Sequence, residues 1–297
     1  MNQSPIPPAP AGSRELRLRV ISAAVIAPIA LGLTWIGGYG FLALVVHCAV
    51  VMASEWATIV VGRSTAPLRL ALLALVGAGV AAVGIGTRVA TAPGLVTGGV
   101  IAVLGIAAAL AQREAREARD ARADPVAVKW APWGAFYAGI PCVALISLRD
   151  APIGLWLVLF LFAVVWSTDI AAYFTGRAIG GPKLWPAVSP KKTWSGAIGG
   201  LLAAGVAGAV VAHLAGAPRL APVIGVGAVL SVAAQAGDFF ESALKRRFGV
   251  KDSGRLIPGH GGLLDRVDGL VAAAVVALLI AVLRGGAGNP QGGLLFW

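Results

Sequence analysis

Charge is what this chain has least of. Only 12% of its 297 residues are Asp, Glu, Lys or Arg, whereas 58% are hydrophobic and mean hydropathy is +0.84. A water-soluble domain carries a charged fraction of about one quarter, so this composition excludes the ordinary soluble classes. Cysteine is nearly missing as well. Cys48 and Cys142 both fall in apolar runs, which argues against a disulfide framework. The HEXXH zinc spacing and the Walker P-loop are absent. Segments of about ten residues alternating apolar and polar, which a transmembrane barrel needs, are missing too.

What remains is a series of charge-poor stretches long enough to cross a bilayer as helix, which takes about 20 residues. Nine such runs are expected to span, at 18–37, 41–61, 68–86, 94–112, 134–149, 153–174, 196–216, 222–240 and 269–284. They are apolar on every side. The expected fold is therefore an all-α integral membrane protein, a polytopic bundle of about nine transmembrane helices. Lys and Arg near membrane segments favour the cytoplasm. Placing the N-terminus inside puts twenty of the 24 on the cytoplasmic side and leaves four outside, Arg88, Arg149, Arg219 and Arg284. An odd number of spans then places Trp297 outside. The net charge of +11 is accounted for by bases flanking these runs, where they meet anionic lipid headgroups, so no nucleic-acid partner is expected.

The chain divides by texture. Residues 1–13 are Pro-rich and polar, an expected disordered tail. The Arg cluster and apolar run after them resemble a signal peptide, but the run is too long and lacks a small-residue cleavage site, so the helix is expected to be retained. Residues 14–111 read as scaffold helices with possible dimer contacts, and Glu55 is the acid inside their spans. The stretch 112–133 opens on Glu and Arg at solvated-helix spacing and reads as a cytoplasmic connector. Residues 134–297 hold most of the acids and the Gly/Pro-rich loops, and form the expected catalytic region.

Several clusters in that region suit phosphate chemistry. On a helix through 231–245, Asp238, Glu241 or Ser242, and Lys245 share a face; a helix-end salt bridge is the plainer alternative. Pro258–Gly262 (PGHGG) is a turn able to aim N–H groups at phosphate oxygens, with His260 as a phosphate donor; a plain loop is the alternative. His47 and His213, alone in apolar runs, are expected in the core. Asp265 and Asp268 stand three apart at a helix start, either as half of a Mg²⁺ site or as acids favouring the macrodipole. With Lys245, Arg246, Lys251 and Arg266 these acids make up the parts of phosphoryl or nucleotidyl transfer. Asp169, Tyr173 and Arg177 share another helical face. The stretch SPKKTWSG adds Ser189, Lys191, Lys192 and Thr193, either as phosphate ligands or as topogenic charge with an N-cap.

From Ser242 to Asp268 the chain resembles the phosphatidate cytidylyltransferases, also called CDP-diacylglycerol synthases. Ser242, Leu244, Lys245, Arg246, Lys251, Asp252, Gly254, Ile257, Pro258, His260, Gly261, Gly262, Leu263, Asp265, Arg266, Val267 and Asp268 carry that family's signature in order and spacing. RVISAAVIAPIAL and AYFTGRAIGGPKLWPAVSPKKTWSG resemble its first and central patterns. Asp169-Ile170-Ala171-Ala172-Tyr173 and Trp194-Ser195-Gly196 depart from the Asp-Thr-Gly-Ala-Tyr and Trp-Glu-Gly of many members. The resemblance implies CTP and phosphatidate as substrates, Mg²⁺ with a second cation such as K⁺, and a homodimer in the cell inner membrane with its active site facing the cytoplasm. It implies Asp238 and Asp265 as metal ligands, with Asp268, Lys245 and Asp252 among the catalytic residues. Lys245, Arg246, Lys251 and His260 fall to the triphosphate, and Lys191 and Lys192 to either substrate's phosphate. Ser189, Thr193, Arg266, Asp169 and Tyr173 complete the expected substrate-binding set. Two other readings compete: a CTP-dependent polyprenol or lipid kinase, and an ion-coupled transporter using Asp169 and Glu55.

Overall fold

The computed structural model describes residues 11–62, 67–89, 93–117, 125–254, 256–257, 261–286 and 290–297. Helices occupy most of them: α1 (Ala11–Ile36), α2 (Gly38–Val60), α3 (Pro67–Val89), α4 (Pro93–Glu117), α5 (Pro125–Trp130), α6 (Trp133–Arg149) and α7 (Gly154–Ile179). A short hairpin follows, β1 (Lys183–Trp185) antiparallel to β2 (Ser189–Thr193), and then α8 (Trp194–Leu214), α9 (Leu220–Arg247), α10 (Leu264–Gly285) and α11 (Pro290–Leu294). Each of the nine apolar runs coincides with a helix. Among the described residues seven helical spans are long and apolar enough to cross a membrane, with α5 and α6 acting as one, Pro125–Arg149. The apolar part of α1, Val20–Ile36, is shorter.

The hairpin is the element that departs from a purely helical expectation. Gly180 and Gly181 adopt φ of 67° and 95°, which ends α7 and reverses the chain at little steric cost. Thr193 then serves as the N-cap of α8, its Oγ1 accepting the Gly196 N–H at 3.1 Å. Between α7 and α8 the backbones approach closely through small residues. A Cβ on Gly196 would lie 2.7 Å from the Ala172 carbonyl oxygen, and one on Gly200 2.8 Å from that of Thr168. Such contact is how helices associate where lipid supplies no hydrophobic drive.

A buried core joins α2, α6 and α7, where Phe41, Trp56, Ile146, Leu157, Phe160 and Leu161 are almost wholly buried. An aromatic group of Trp56, Trp130, Tyr137 and Phe240 ties α2, α5, α6 and α9 together near the loop that precedes α10. At the same end of the bundle a buried ion pair links α3 to α4: Arg69 Nε lies 2.9 Å from Glu114 Oε1 and Arg69 Nη2 donates to the Ala57 carbonyl. His47 and His213 are exposed on the faces of α2 and α8 rather than in the core, because the inward positions of α2 belong to Phe41, Val45 and Ala49. Both cysteines are free.

Candidate active site

Two cavities meet where α7 passes α10. The polar one, about 620 Å³, is walled by α7, the hairpin and α9, and draws Arg177, Lys183, Lys191, Lys192 and Arg266 together with Asp169, Asp238, Tyr173, Thr193 and Gln235. The other, about 450 Å³, is apolar and runs among α1, α2, α6, α7 and α10 past Ile26, Met52, Phe162 and Val271. Asp169 and Arg266 line both.

Within the polar cavity Lys192 on β2 forms an ion pair with Asp238 on α9. The same ammonium sits 4.5 Å above the Phe239 ring, which is itself packed by Trp185 of the hairpin. Ser242 donates to the other oxygen of Asp238 at 3.3 Å, one turn further along α9. Asp169, Asp238 and Asp268 lie within electrostatic reach of one another and of Lys192. Close helix packing permits this: a Cβ on Gly237 would fall 2.5 Å from the Asp268 carbonyl oxygen. Gln235 is anchored by its Nε2, which donates to the Ala197 carbonyl and to Ser231. Arg177 donates to the Tyr173 hydroxyl at 2.9 Å, so the Asp169–Tyr173–Arg177 face read from the sequence forms one wall.

Asp265 takes a different position. Its Oδ2 accepts the Ser253 N–H (2.9 Å), the Ser253 hydroxyl (2.9 Å) and the Gly262 N–H (3.0 Å), while Oδ1 lies 2.6 Å from Lys245 Nζ. Lys245 also reaches Glu241 at 2.6 Å, so the helix-end salt bridge exists in α9 as the pair Glu241–Lys245. Asp265 and Asp268, three apart at the start of α10, do not share surroundings. Asp265, in the first turn of α10, turns back to satisfy N–H groups of the preceding loop, whereas Asp268 accepts from Gly269 N–H and lines the apolar cavity.

Arg246, Lys251 and Asp252 are exposed and stand outside the lining of both cavities, and Ser189 is half-buried in the hairpin. Gly261 bonds its N–H to the Ile257 carbonyl and Gly262 bonds to Asp265, so both N–H groups of this turn serve the protein itself. Pro258 to His260 lie outside the described residues. Lys183 and Gln235 escaped the sequence reading. The first adjoins the recognised SPKKT stretch, but nothing in the pattern shows that a hairpin folds it back.

Among the described residues no three His, Cys, Asp or Glu side chains gather closely enough to hold a metal by themselves. Any such site has to be completed by oxygens from substrate, which is how Mg²⁺ is held in most phosphate-transferring enzymes.

Fold and cavities together define a class, a membrane-embedded protein with a cation-rich chamber opening onto an apolar one. The chain belongs to the cytidylyltransferase family, whose model matches residues 17–283. It is 45% identical over 271 residues to the phosphatidate cytidylyltransferase of Brucella suis biovar 1, spanning 91% of this chain and 94% of that relative. Similarity to the phosphatidate cytidylyltransferase of Rickettsia bellii is 42% over 149 residues, 48% of this chain and 64% of the relative. With that of Haemophilus influenzae it is 47% over 148 residues, 46% and 50% respectively.

Proposed function

We propose that this chain transfers the cytidylyl group of CTP to phosphatidate, giving CDP-diacylglycerol and pyrophosphate. The observation that carries the reading is the shared wall of the two cavities. An amphiphile with tails in the apolar chamber and its phosphate beside Arg266 and Asp169 meets a polar chamber of a size suited to a nucleotide. The kinase and transporter readings lack comparable support. Cytidylyltransferase relatives span the chain, and Glu55, one of the two acids the transporter needs, has its carboxylate taken by protein donors.

The chemistry joins a phosphate oxygen of the lipid to the α-phosphorus of CTP as the bond from that phosphorus to the oxygen bridging to the β-phosphate breaks. Pyrophosphate leaves with the electron pair. A phosphate monoester has its second pKa at about 6, so near neutrality the attacking oxygen is already deprotonated and needs no general base. The difficulty is repulsion between two polyanions. Arg177, Lys183, Lys191, Lys192 and Arg266 line the meeting place and offset that charge before reaction, so little reorganisation is needed during it. Tyr173, Thr193 and Asp169 bound the same space and orient the headgroups. Lys245 fixes Asp265, and Asp252, Arg246 and Lys251, exposed at the same end, add long-range field rather than contact. His260 is assigned to the triphosphate on the resemblance.

The carboxylates fit a hard cation. Asp238, with Asp169 and Asp268 in electrostatic reach, would hold Mg²⁺ and a second cation such as K⁺ together with substrate oxygens. A ligand role for Asp265 rests on the resemblance, since its oxygens serve Ser253, Gly262 and Lys245 and it lines neither cavity. A metal held there would supply positive charge that offsets the phosphate oxygens. Lys192 on Asp238 and Lys245 on Asp265 show that both carboxylates already attract positive charge.

The same reading has the protein in the cell inner membrane with the active site facing the cytoplasm, supported by the twenty-to-four division of Lys and Arg. Assembly as a homodimer rests on the family resemblance and is tested by cross-linking in native membranes. Activity is tested with purified protein, phosphatidate, Mg²⁺ and α-labelled CTP, the expected product being labelled lipid.

A further inference from the structure

Glu55 lies near the end of α2, far in sequence from the signature that forms the site, and only 7% exposed. It lines neither cavity. Yet the loop that delivers Asp265 is folded around its carboxylate. Oε1 accepts the Leu263 N–H at 2.9 Å, and Oε2 accepts the Leu264 N–H at 2.8 Å and the Ser253 hydroxyl at 3.0 Å. Leu263 and Leu264 begin α10, so Glu55 satisfies two of the N–H groups that a helix start leaves unpaired, and its negative charge faces the positive end of the helix dipole.

The Ser253 hydroxyl has one hydrogen and faces two carboxylates, Glu55 Oε2 and Asp265 Oδ2. Glu55 is thereby joined through one side chain to the acid that holds Lys245. The fit is tight: a Cβ on Gly254 or Gly262 would come within 2.7 Å of a Glu55 carboxylate oxygen. A buried acid without a role at this depth would be expensive, and among the described residues its donors come from the loop before α10 and from the first turn of that helix.

We propose that Glu55 is a positioning residue for cytidylyl transfer, one that fixes Asp265 and through it Lys245 by gripping Ser253 and the first turn of α10. This rests on the proposed function and assigns the N-terminal helices a part in catalysis beyond scaffolding. It also explains why an acid persists in an otherwise uncharged span.

The test compares Glu55→Gln, Ser253→Ala and the double variant with the parent, all in detergent and all confirmed folded by thermal melting. Glu55→Gln keeps the size of the side chain and loses one acceptor and the charge. It is expected to lower kcat about 10- to 100-fold with KM for CTP within about twofold, the scale at which outer partners of a site's acids act. In the double variant the loss is expected to be clearly smaller than the product of the single losses, since both act through one hydroxyl. Hydrogen exchange without substrate is expected to quicken at the amides of Ser253, Leu263 and Leu264. A kcat within twofold of the parent, a loss no greater than the unfolded fraction, or multiplicative single losses would each overturn the proposal. Parent protein that labels lipid normally while Glu55→Gln does the same sinks this inference alone; parent protein that labels no lipid sinks the catalytic reading beneath it, while the exchange measurement still reports the grip.

Discussion

Lys192 and Asp238, 46 residues apart in the chain, are joined as an ion pair across the polar cavity, one from a strand and the other from α9. Each side chain is about 30% exposed, so the pair is open to exchange with an incoming anion. An ammonium that leaves Asp238 for a phosphate oxygen trades one partner for another and frees the carboxylate for a cation. On the proposed function this makes the pair a local charge reserve rather than a fixed strut.

Replacing the acid should therefore cost turnover more than fold. Asp238→Asn and Asp265→Asn are each expected to lower incorporation of α-label from CTP into lipid by about 100-fold or more. Melting temperature should change little for Asp238→Asn and fall somewhat for Asp265→Asn, which weakens contacts to Ser253 and Gly262. A variant keeping near-full activity across Mg²⁺ concentrations would remove that residue from the ligand set.

The two lysines of β2 should separate. Lys192 meets Asp238 and the Phe239 ring, whereas Lys191 is exposed at the cavity rim. Lys192→Ala is expected to lower kcat/KM for CTP about tenfold more than Lys191→Ala, since charge-assisted contacts at partly desolvated sites are the stronger ones. Steady-state rates at varied CTP decide it.

Glycine at the close crossings should be required. Gly237→Val would drive a side chain into the Asp268 carbonyl and Ala272 across the α9–α10 contact. We expect a loss of about 1–3 kcal/mol of stability, visible as a lower melting temperature in detergent. Activity of the surviving folded protein should fall too, because Asp238 and Asp268 move apart.

A contrast comes from the ion pair of α3 and α4. Glu114→Gln leaves Arg69 buried without its counter-charge and is expected to cost about 3–5 kcal/mol, while the paired change to two methionines should restore most of that. Activity per folded molecule should stay at the parent level in both, since neither residue reaches the cavities. Loss of kcat in the restored double variant would link this pair to catalysis after all.

Much of the architecture was legible because lipid demands long apolar helices: each of the nine expected runs falls on a helix, and among the described residues seven helical spans are long and apolar enough to cross a membrane, those of α1 and α4 not among them. The face shared by Asp169, Tyr173 and Arg177 was legible for the same reason, since helical spacing within one element is local. The hairpin was not: its strands are three and five residues long, mostly exposed, and carry no apolar alternation. Pairings between elements were hidden as well. Sequence places Lys245 on one helical face with Asp238, yet the fold gives Lys245 to Asp265 and Lys192 to Asp238. Glu55 shows the limit most plainly, for nothing along 198 residues announces its bond to Ser253.

The fate of the label decides the reaction most directly. Purified protein in lipid nanodiscs, given phosphatidate, Mg²⁺ and CTP labelled at either the α- or the γ-phosphate, should place α-label in a lipid product and release γ-label as pyrophosphate. Lipid labelled from the γ-phosphate, or no labelled lipid from either, would contradict it.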